Sequence, residues 1–402
     1  MNEAVPHGES MKRRTFLQGA ACLGAVGLGG AILGRAEETP AKGQNRGSDR
    51  PERVRVGFIG VGGRGTTHLR TMLELPGAEI AAVCDIDPTA LDRAAKLVAA
   101  GPGKKKPSAH EDYRRVLASK DVDAILSALP CDLHAKVYLD VIAAGKDLYA
   151  EKPMCITVSE CDAVVKAAEA SGLIVQVGFQ RRYSRRMEEG IRRIHAGDIG
   201  EVIEMRASFL ASFGPLRGWF SRRARSGDWM VEQAVHLFDV MNWVFRATPI
   251  KAYGCGRRDL FTKDEPDRDV TDYYSAIIEY PGGVIVNWLH SWLCPGKGPF
   301  SKHTCQVIGR TGAVDLYDGQ IAYLDGKRSE EVLPEEEANT TRIAQESFLD
   351  LVKKRLGGAP RAGLKPRSGV QNGRDAVLTA LLVRKAVDER RVVTWDEMLK
   401  GS

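Results

Sequence analysis

Val54-Arg55-Val56-Gly57-Phe58-Ile59 runs directly into Gly60-Val61-Gly62-Gly63-Arg64-Gly65. The first six residues read as a short apolar strand. The glycines that follow permit a tight turn and close approach of the backbone to a bound group. Residues 64–75 carry the pattern of a helix. A strand, a G-x-G-x-x-G turn and a helix together open a βαβ unit, and the free N–H groups of the helix start attract a pyrophosphate. The next strand, 79–84, ends at Asp85, 20 residues after Gly65. Asp85 is placed to accept hydrogen bonds from ribose hydroxyls. Its charge repels a 2′-phosphate, which favours NAD. Arg64 could offset that repulsion, so NADP stays open.

Outward from this junction, strand and helix signals alternate. Strands are predicted at 54–59, 79–84, 122–128, 147–150 and 173–177, with helices at 64–75, 88–100, 134–144 and 159–171. Short β-runs separated by amphipathic helices imply a doubly wound, Rossmann-like parallel sheet. After about Gly178 the pattern changes. Strands at 202–210, 272–280, 284–292, 304–308, 313–317 and 320–324 read as an antiparallel meander with hairpin turns. Single helices are predicted at 228–245 and 372–388. The expected architecture is a Rossmann domain, 53–178, followed by an α+β domain, 179–402, with a large, mainly antiparallel open sheet. Ile285, Trp288 and Trp292 are candidates to pack against a second subunit, giving a homodimer or homotetramer.

Residues 1–36 read as a twin-arginine signal. Arg13-Arg14-Thr15-Phe16-Leu17 precedes an apolar Gly/Ala-rich stretch, and Gly34-Arg35-Ala36 offers a cleavage point. The expected location is periplasmic or otherwise exported, with an uncleaved membrane anchor as the alternative. Residues 37–52 are polar and read as a linker. The net charge of +6 over 402 residues is too small to imply a nucleic-acid partner. Eight cysteines without a C-x-x-C pair do not form a disulfide framework or a zinc site. No metal is expected.

Glu151-Lys152-Pro153 ends another strand of the first sheet. The proline holds Lys152 extended, at the edge where ligands bind in such sheets. A lysine there could act as a general base toward an alcohol. Glu232, His236, Asp239 and Trp243 recur at helical spacing on 228–245. That spacing fits a solvated Glu–His pair. It equally fits an active-site face on which His236 shares proton transfer with Lys152 and Glu232 orients it.

These motifs together resemble the Gfo/Idh/MocA family, which includes glucose–fructose oxidoreductase and inositol dehydrogenase. The likeness rests on the glycine loop, on Pro130…His134 followed by Gly145-Lys146, on Glu151-Lys152-Pro153, on Gly178-Phe179…Arg182-Tyr183, and on an acidic residue four before a histidine. It implies a cofactor site of Gly60, Gly62, Gly63, Arg64, Gly65, Asp85, Pro130, His134, Glu151 and Lys152. It also implies that Lys152 and His236 flank the reacting carbinol, with Glu232 as a further catalytic group. Arg182, Tyr183, Trp229, Glu232 and His236 are the candidate substrate contacts. Where the family carries Asp in D-x-G-x-H, this chain has Glu232-Gln233-Ala234-Val235-His236. The expected function is oxidation of a sugar, glycoside or polyol hydroxyl by hydride transfer to a tightly held nicotinamide. A redox-neutral, NAD-dependent glycosidase or lyase is the alternative, and a non-catalytic carbohydrate-binding paralogue is a third reading.

Overall fold

The computed structural model describes residues 52–400 apart from 216, 297, 325, 327, 329 and 336–338. The signal segment, and all but the last residue of the predicted linker, lie outside the described residues. β1 (Val54–Ile59), β2 (Ala78–Cys84), β3 (Ser108–His110), β4 (Ala124–Ser127), β5 (Asp147–Ala150) and β6 (Val175–Val177) form one sheet in the order β3-β2-β1-β4-β5-β6. Every pairing in it is parallel. The chain starts at β1, winds outward to β3, and returns to the other side of β1 as β4. The crevice above that reversal is where open α/β sheets bind ligands. β3 is only three residues long and half exposed, so it left no apolar run to read.

The second sheet contains β7 (Val202–Leu210), β8 (Lys251–Arg257), β9 (Tyr273–Tyr280), β10 (Val284–Ser291), β11 (Thr304–Gly309), β12 (Gly312–Asp315), β13 (Gln320–Tyr323), β14 (Glu331–Val332) and β15 (Val393–Thr394). Its order is β14-β13-β12-β11-β7-β10-β9-β8-β15. It is not a simple meander. β7 sits between β10 and β11, parallel to the first and antiparallel to the second. Burial alternates along β10: Val286, Trp288 and His290 face inward, whereas Asn287 and Leu289 face out. Trp288 and Trp292 are therefore core residues, not part of an exposed face. Trp288 packs on Phe238, with ring centroids 5.2 Å apart. The open face carries Tyr253, Ile277 and Leu289 instead.

Helix Thr340–Leu356 returns from late in the chain to the first sheet. It buries Phe348, Leu349 and Val352 in one core with Val56, Phe58, Leu69, Met72 and Tyr149. Each such side chain contributes roughly 1.5–3 kcal/mol on burial. Helix Val370–Glu389 packs against helix Val158–Ser171 and against β8.

The predicted single helix over 228–245 is two. A one-turn helix, Trp229–Glu232, is followed by a turn at Gln233 and Ala234, then by helix Val235–Phe245. Asp228 caps the first. It adopts φ of +74° while fully buried, and its carboxylate accepts from Met230 N–H (3.2 Å), Thr271 N–H (3.1 Å) and Arg223 Nη2 (3.0 Å). Those bonds hold a backbone conformation that costs a non-glycine residue about 1 kcal/mol or more.

Candidate active site

The glycine loop is shaped by two contacts that exclude any side chain. A Cβ on Gly65 would lie 2.0 Å from Gly60 O, and one on Gly60 would lie 2.3 Å from Ala128 O. Gly60 also takes φ of +84°, a left-handed value. At Gly62 and Gly63 the opposite holds: a Cβ would meet nothing within 4 Å. This open cradle faces the start of helix Gly63–Leu73, which has no side-chain cap and no acidic residue in its first turn. Free N–H groups beside open space suit a pyrophosphate. Asp85 anchors the loop, accepting from Val61 N–H at Oδ2 (2.8 Å) and from Asp87 N–H at Oδ1 (3.0 Å).

Below the loop lies a network, buried at Glu151, His68 and Gln345 and open to solvent at Arg64, that the sequence did not reveal. Glu151 Oε1 accepts from Arg64 Nε (2.6 Å) and from His68 Nε2 (2.7 Å), and Oε2 accepts from Lys152 N–H (2.7 Å). Gln345 Nε2 donates to His68 Nδ1 (2.8 Å) and to His68 O (3.2 Å). With Nδ1 accepting, the His68 proton sits on Nε2, aimed at Glu151. Burial pushes the Glu151 carboxyl up, but Arg64 and His68 outweigh it and hold the group well below the usual range. His68 itself is pushed down, by burial above all. The carboxylates acting on Arg64 are Glu151 and Glu232. Its charge is thus spent beside Lys152, which weakens the argument for NADP. His68 could have been suspected from its place three residues after Gly65. Gln345, 277 residues further on, left no signal.

His134 is fully buried, and its ring lies between two backbone carbonyls, Pro153 O (2.6 Å) and Leu129 O (2.9 Å), to one of which the single N–H of the neutral ring donates. It clamps the turn after β5 to the loop after β4, where half-buried Pro130 lies. Both ring nitrogens face these carbonyls, so His134 braces the cofactor edge.

Lys152 reaches from this edge to the second domain's helix pair. Its Nζ hydrogen-bonds Glu232 Oε1 and also donates to Glu232 O (2.8 Å). The helix break explains the second bond. In a continuous helix Glu232 O would accept from His236 N–H. Here His236 N–H bonds Gln233 O (3.3 Å), and the Glu232 carbonyl is free for the lysine. His236 is buried with Nδ1 unpartnered, and Glu232, four residues earlier, has its Oε2 buried and unpartnered. Burial, then the charges of Lys152 and Arg181, push His236 well below the ordinary histidine range, so its ring is neutral at pH 7. Buried polar atoms left without partners are costly in a finished core and expected in a site awaiting substrate.

The other predicted substrate contacts fall elsewhere. Arg182 Nε bonds both oxygens of buried Asp239 (2.9 and 2.8 Å), and its guanidinium lies 5.0 Å from the Trp243 ring centroid. These residues line a separate cavity of about 280 Å³ with Asn242, Arg246 and Asp375. Tyr183 is a core residue at 1% exposure, in the same cluster as Tyr149 and Phe348. Trp229 is equally buried, its ring tilted 3.9 Å from that of His290 and edge-on 5.2 Å from that of Trp292 by centroids. The charge of arginine and the size of aromatic side chains suit a cleft, and the sequence alone does not distinguish that role from packing. Arg182 and Trp229 pack within the second domain, and Tyr183 packs in the core of the first sheet.

Comparison with known proteins agrees with this architecture. Residues 54–179 match the NAD-binding Rossmann fold of the Gfo/Idh/MocA oxidoreductase family, and residues 190–315 match the Gfo/Idh/MocA C-terminal domain. Inositol 2-dehydrogenase 3 of Saccharopolyspora erythraea is 43% identical over 273 residues, covering 66% of this chain and 73% of that one. The chain belongs to the Gfo/Idh/MocA oxidoreductase family. A glycosyl hydrolase family 109 protein of Shewanella baltica is 30% identical over 213 residues, which is 50% of this chain and 46% of that one. The chain thus spans about half the length of the family 109 relatives it matches. Among solved structures, levoglucosan dehydrogenase in complex with NADH aligns at a TM-score of 0.71 and 18% identity, covering 85% of this chain and 99% of that one. Aldose-aldose oxidoreductase from Caulobacter crescentus, with glycerol, aligns at 0.69 and 20%, covering the same shares. At those identities the likeness is one of fold. As a Gfo/Idh/MocA member the chain has an NAD-binding Rossmann domain, and the open cradle at Gly62 and Gly63 fits that cofactor.

Proposed function

We propose that this protein is an exported NAD-dependent oxidoreductase acting on a hydroxyl of a sugar, sugar acid, glycoside or cyclic polyol. The observation that carries this reading is the meeting of Lys152, Glu232 and His236, with unpartnered buried atoms, beside the glycine loop. Bound NAD supplies the hydride acceptor. Lys152 Nζ takes the substrate hydroxyl proton and hands its own to Glu232 Oε1. His236, neutral, offers Nδ1 as a second proton-accepting atom. Glu151 holds the Lys152 backbone through its N–H, which fixes where Nζ swings. Relatives named as inositol and levoglucosan dehydrogenases support a polyhydroxylated substrate.

Export is proposed from Arg13-Arg14 and the apolar stretch after it. Among the described residues no helix is long and apolar enough to cross a membrane. A homo-oligomer is proposed through the sheet face carrying Tyr253, Ile277 and Leu289, and light scattering reads it directly.

A second reading is glycoside cleavage without net redox change. The second, unpartnered oxygen of Glu232 favours it, as an acid–base group beyond the lysine, and so do the family 109 relatives. Bound nucleotide and Lys152→Ala test what the two readings share, and the product formed separates them. Nucleotide released on denaturing the purified, exported protein should be NAD(H), near one per chain. Lys152→Ala should then lower turnover about a thousandfold while that nucleotide stays bound. Accumulating NADH on sugar addition marks a dehydrogenase, and aglycone release without it marks the glycosidase. Unchanged turnover in Lys152→Ala removes the lysine from the mechanism. Tight sugar binding with no chemistry leaves a carbohydrate-binding protein.

A further inference from the structure

Arg181 stands one residue from the ion-paired Arg182 and is treated by the fold in the opposite way. It lies in the turn Gln180–Tyr183, directly after β6. Arg64 and Arg182 each hold a buried carboxylate. Arg181 holds none among the described residues, and its Nη1 is buried without a partner. What surrounds it is aromatic: its guanidinium carbon lies 5.4 Å from the ring centroids of both Phe209 and Tyr317. Rings restrain a guanidinium by cation–π attraction without consuming its N–H donors.

A second donor stands in the same cluster. The His303 ring packs 4.0 Å from Phe209 and 5.8 Å from Tyr317, centroid to centroid. Its Nδ1 accepts from Leu210 N–H (3.2 Å), which places the proton of the neutral ring on Nε2. Burial, and then the charge of Arg181, push His303 down to about 4, so near neutral pH it is an uncharged N–H donor. Phe179, which opens the turn carrying Arg181, packs its ring 6.1 Å from that of His236, centroid to centroid, so the turn lies against the acid–base group.

The charges at the site do not balance. Lys152 is matched by Glu232 and Arg64 by Glu151, which leaves Arg181 as surplus positive charge in a half-buried, ring-lined position. Such a charge is costly until an anion joins it. One guanidinium, with a planar fork of donors, matches a single carboxylate; a phosphate dianion would call for a second cation.

We propose that Arg181, assisted by the Nε2–H of His303, binds a carboxylate on the substrate, so that the natural substrates are sugar acids. The proposal rests on the reading of the Lys152 site as a carbohydrate site and narrows its substrate class. Arg181 is thereby a specificity-determining residue, with the oxidised carbon held toward Lys152 and the carboxylate toward β7.

The test uses the full-length, NAD-loaded protein. Calorimetric affinities are measured for D-glucuronate against D-glucose, D-galacturonate against D-galactose, and D-glucose 6-phosphate. NADH formation is followed in parallel. At least one uronate should bind about tenfold or more tightly than its neutral partner, the scale of a charge-assisted hydrogen bond. Arg181→Gln should collapse that ratio toward one, and Arg181→Lys should retain part of it. Near-ultraviolet circular dichroism and the NAD-induced thermal shift show whether each variant has kept its holo fold. A wild type that binds uronates no better than neutral sugars overturns the proposal. So does a preference that survives in a folded Arg181→Gln, or glucose 6-phosphate binding above every uronate. Arg181-dependent uronate binding without hydride transfer upholds the carboxylate site and defeats the oxidoreductase reading. Hydride transfer from neutral sugars with no uronate preference does the reverse.

Discussion

Glu151 and Lys152 are neighbours in sequence and face opposite polar worlds. Around Glu151 the carboxylate is fully matched: Arg64, His68 and the Lys152 N–H converge on it, and Gln345 Nε2 fixes the imidazole from behind, with Gln345 Oε1 the one unpartnered buried atom among these side chains. Around Lys152 the matching stops short, with Glu232 Oε2, His236 Nδ1 and Arg181 Nη1 all buried and unpartnered. The first region has the finish of architecture. The second has the incompleteness of a surface meant to be completed by something else. Burial alone would not have told them apart; the count of unmet hydrogen bonds does.

The sharpest way to break this contrast is within the glycine loop. Gly65→Ala puts a methyl 2.0 Å from a backbone oxygen, so the loop must move. We expect a stability loss of about 3 kcal/mol or more and no measurable NAD affinity. Gly63→Ala points into open space and should keep stability within about 0.5 kcal/mol while still weakening NAD. Thermal melts with and without NAD separate the two. Equal melting losses in both would mean that the open cradle is a packed one.

Next in size is the matched network. Glu151→Gln removes the charge that Arg64 and His68 share and should cost about 2 kcal/mol, read by urea unfolding at pH 7. Glu232→Gln removes one charge of a buried pair but leaves Lys152 Nζ its bond to the Glu232 carbonyl; it should cost less than Glu151→Gln, with its main effect on turnover. The reverse order of the two would show that the Lys152 pocket, not the Glu151 network, holds the two domains' helices and sheet in place.

The smallest effect is with pH. His68 and His236 are depressed below their unfolded value of 6.5. Below that value the unfolded chain binds protons that the folded chain refuses, so stability rises with pH up to about 6.5 and falls as pH drops beneath it. His236→Asn should flatten that acid-side slope by up to one proton. An unchanged slope would mean that the His236 ring titrates freely in the folded state.

The cofactor half of the site was legible because its chemistry is local. Gly60 to Gly65, Asp85 and Lys152 lie at strand ends that an apolar run of four to seven residues marks clearly. The order of the second sheet was not legible, because β7 pairs with strands about eighty and a hundred residues later, and no local pattern records that choice. Trp288 and Trp292 were misplaced by parity: Ile285 stands at odd phase and the tryptophans at even phase in a pattern of period two. Arg181 and Arg182 are alike in sequence. Only the position of Asp239, on a distant helix, decides which of them is neutralised.

The interruption at Gln233 and Ala234 acts as a clutch between two shafts. On one continuous helix Glu232 and His236 would be locked about 40° apart in azimuth, because each residue turns the axis by 100°. Disengaged, each can be set against the substrate independently. A lineage that lengthened, shortened or stiffened this two-residue coupling would re-aim the histidine without touching the lysine, the cofactor loop or either sheet. New substrates could then be reached by adjusting the joint and leaving the chemistry in place.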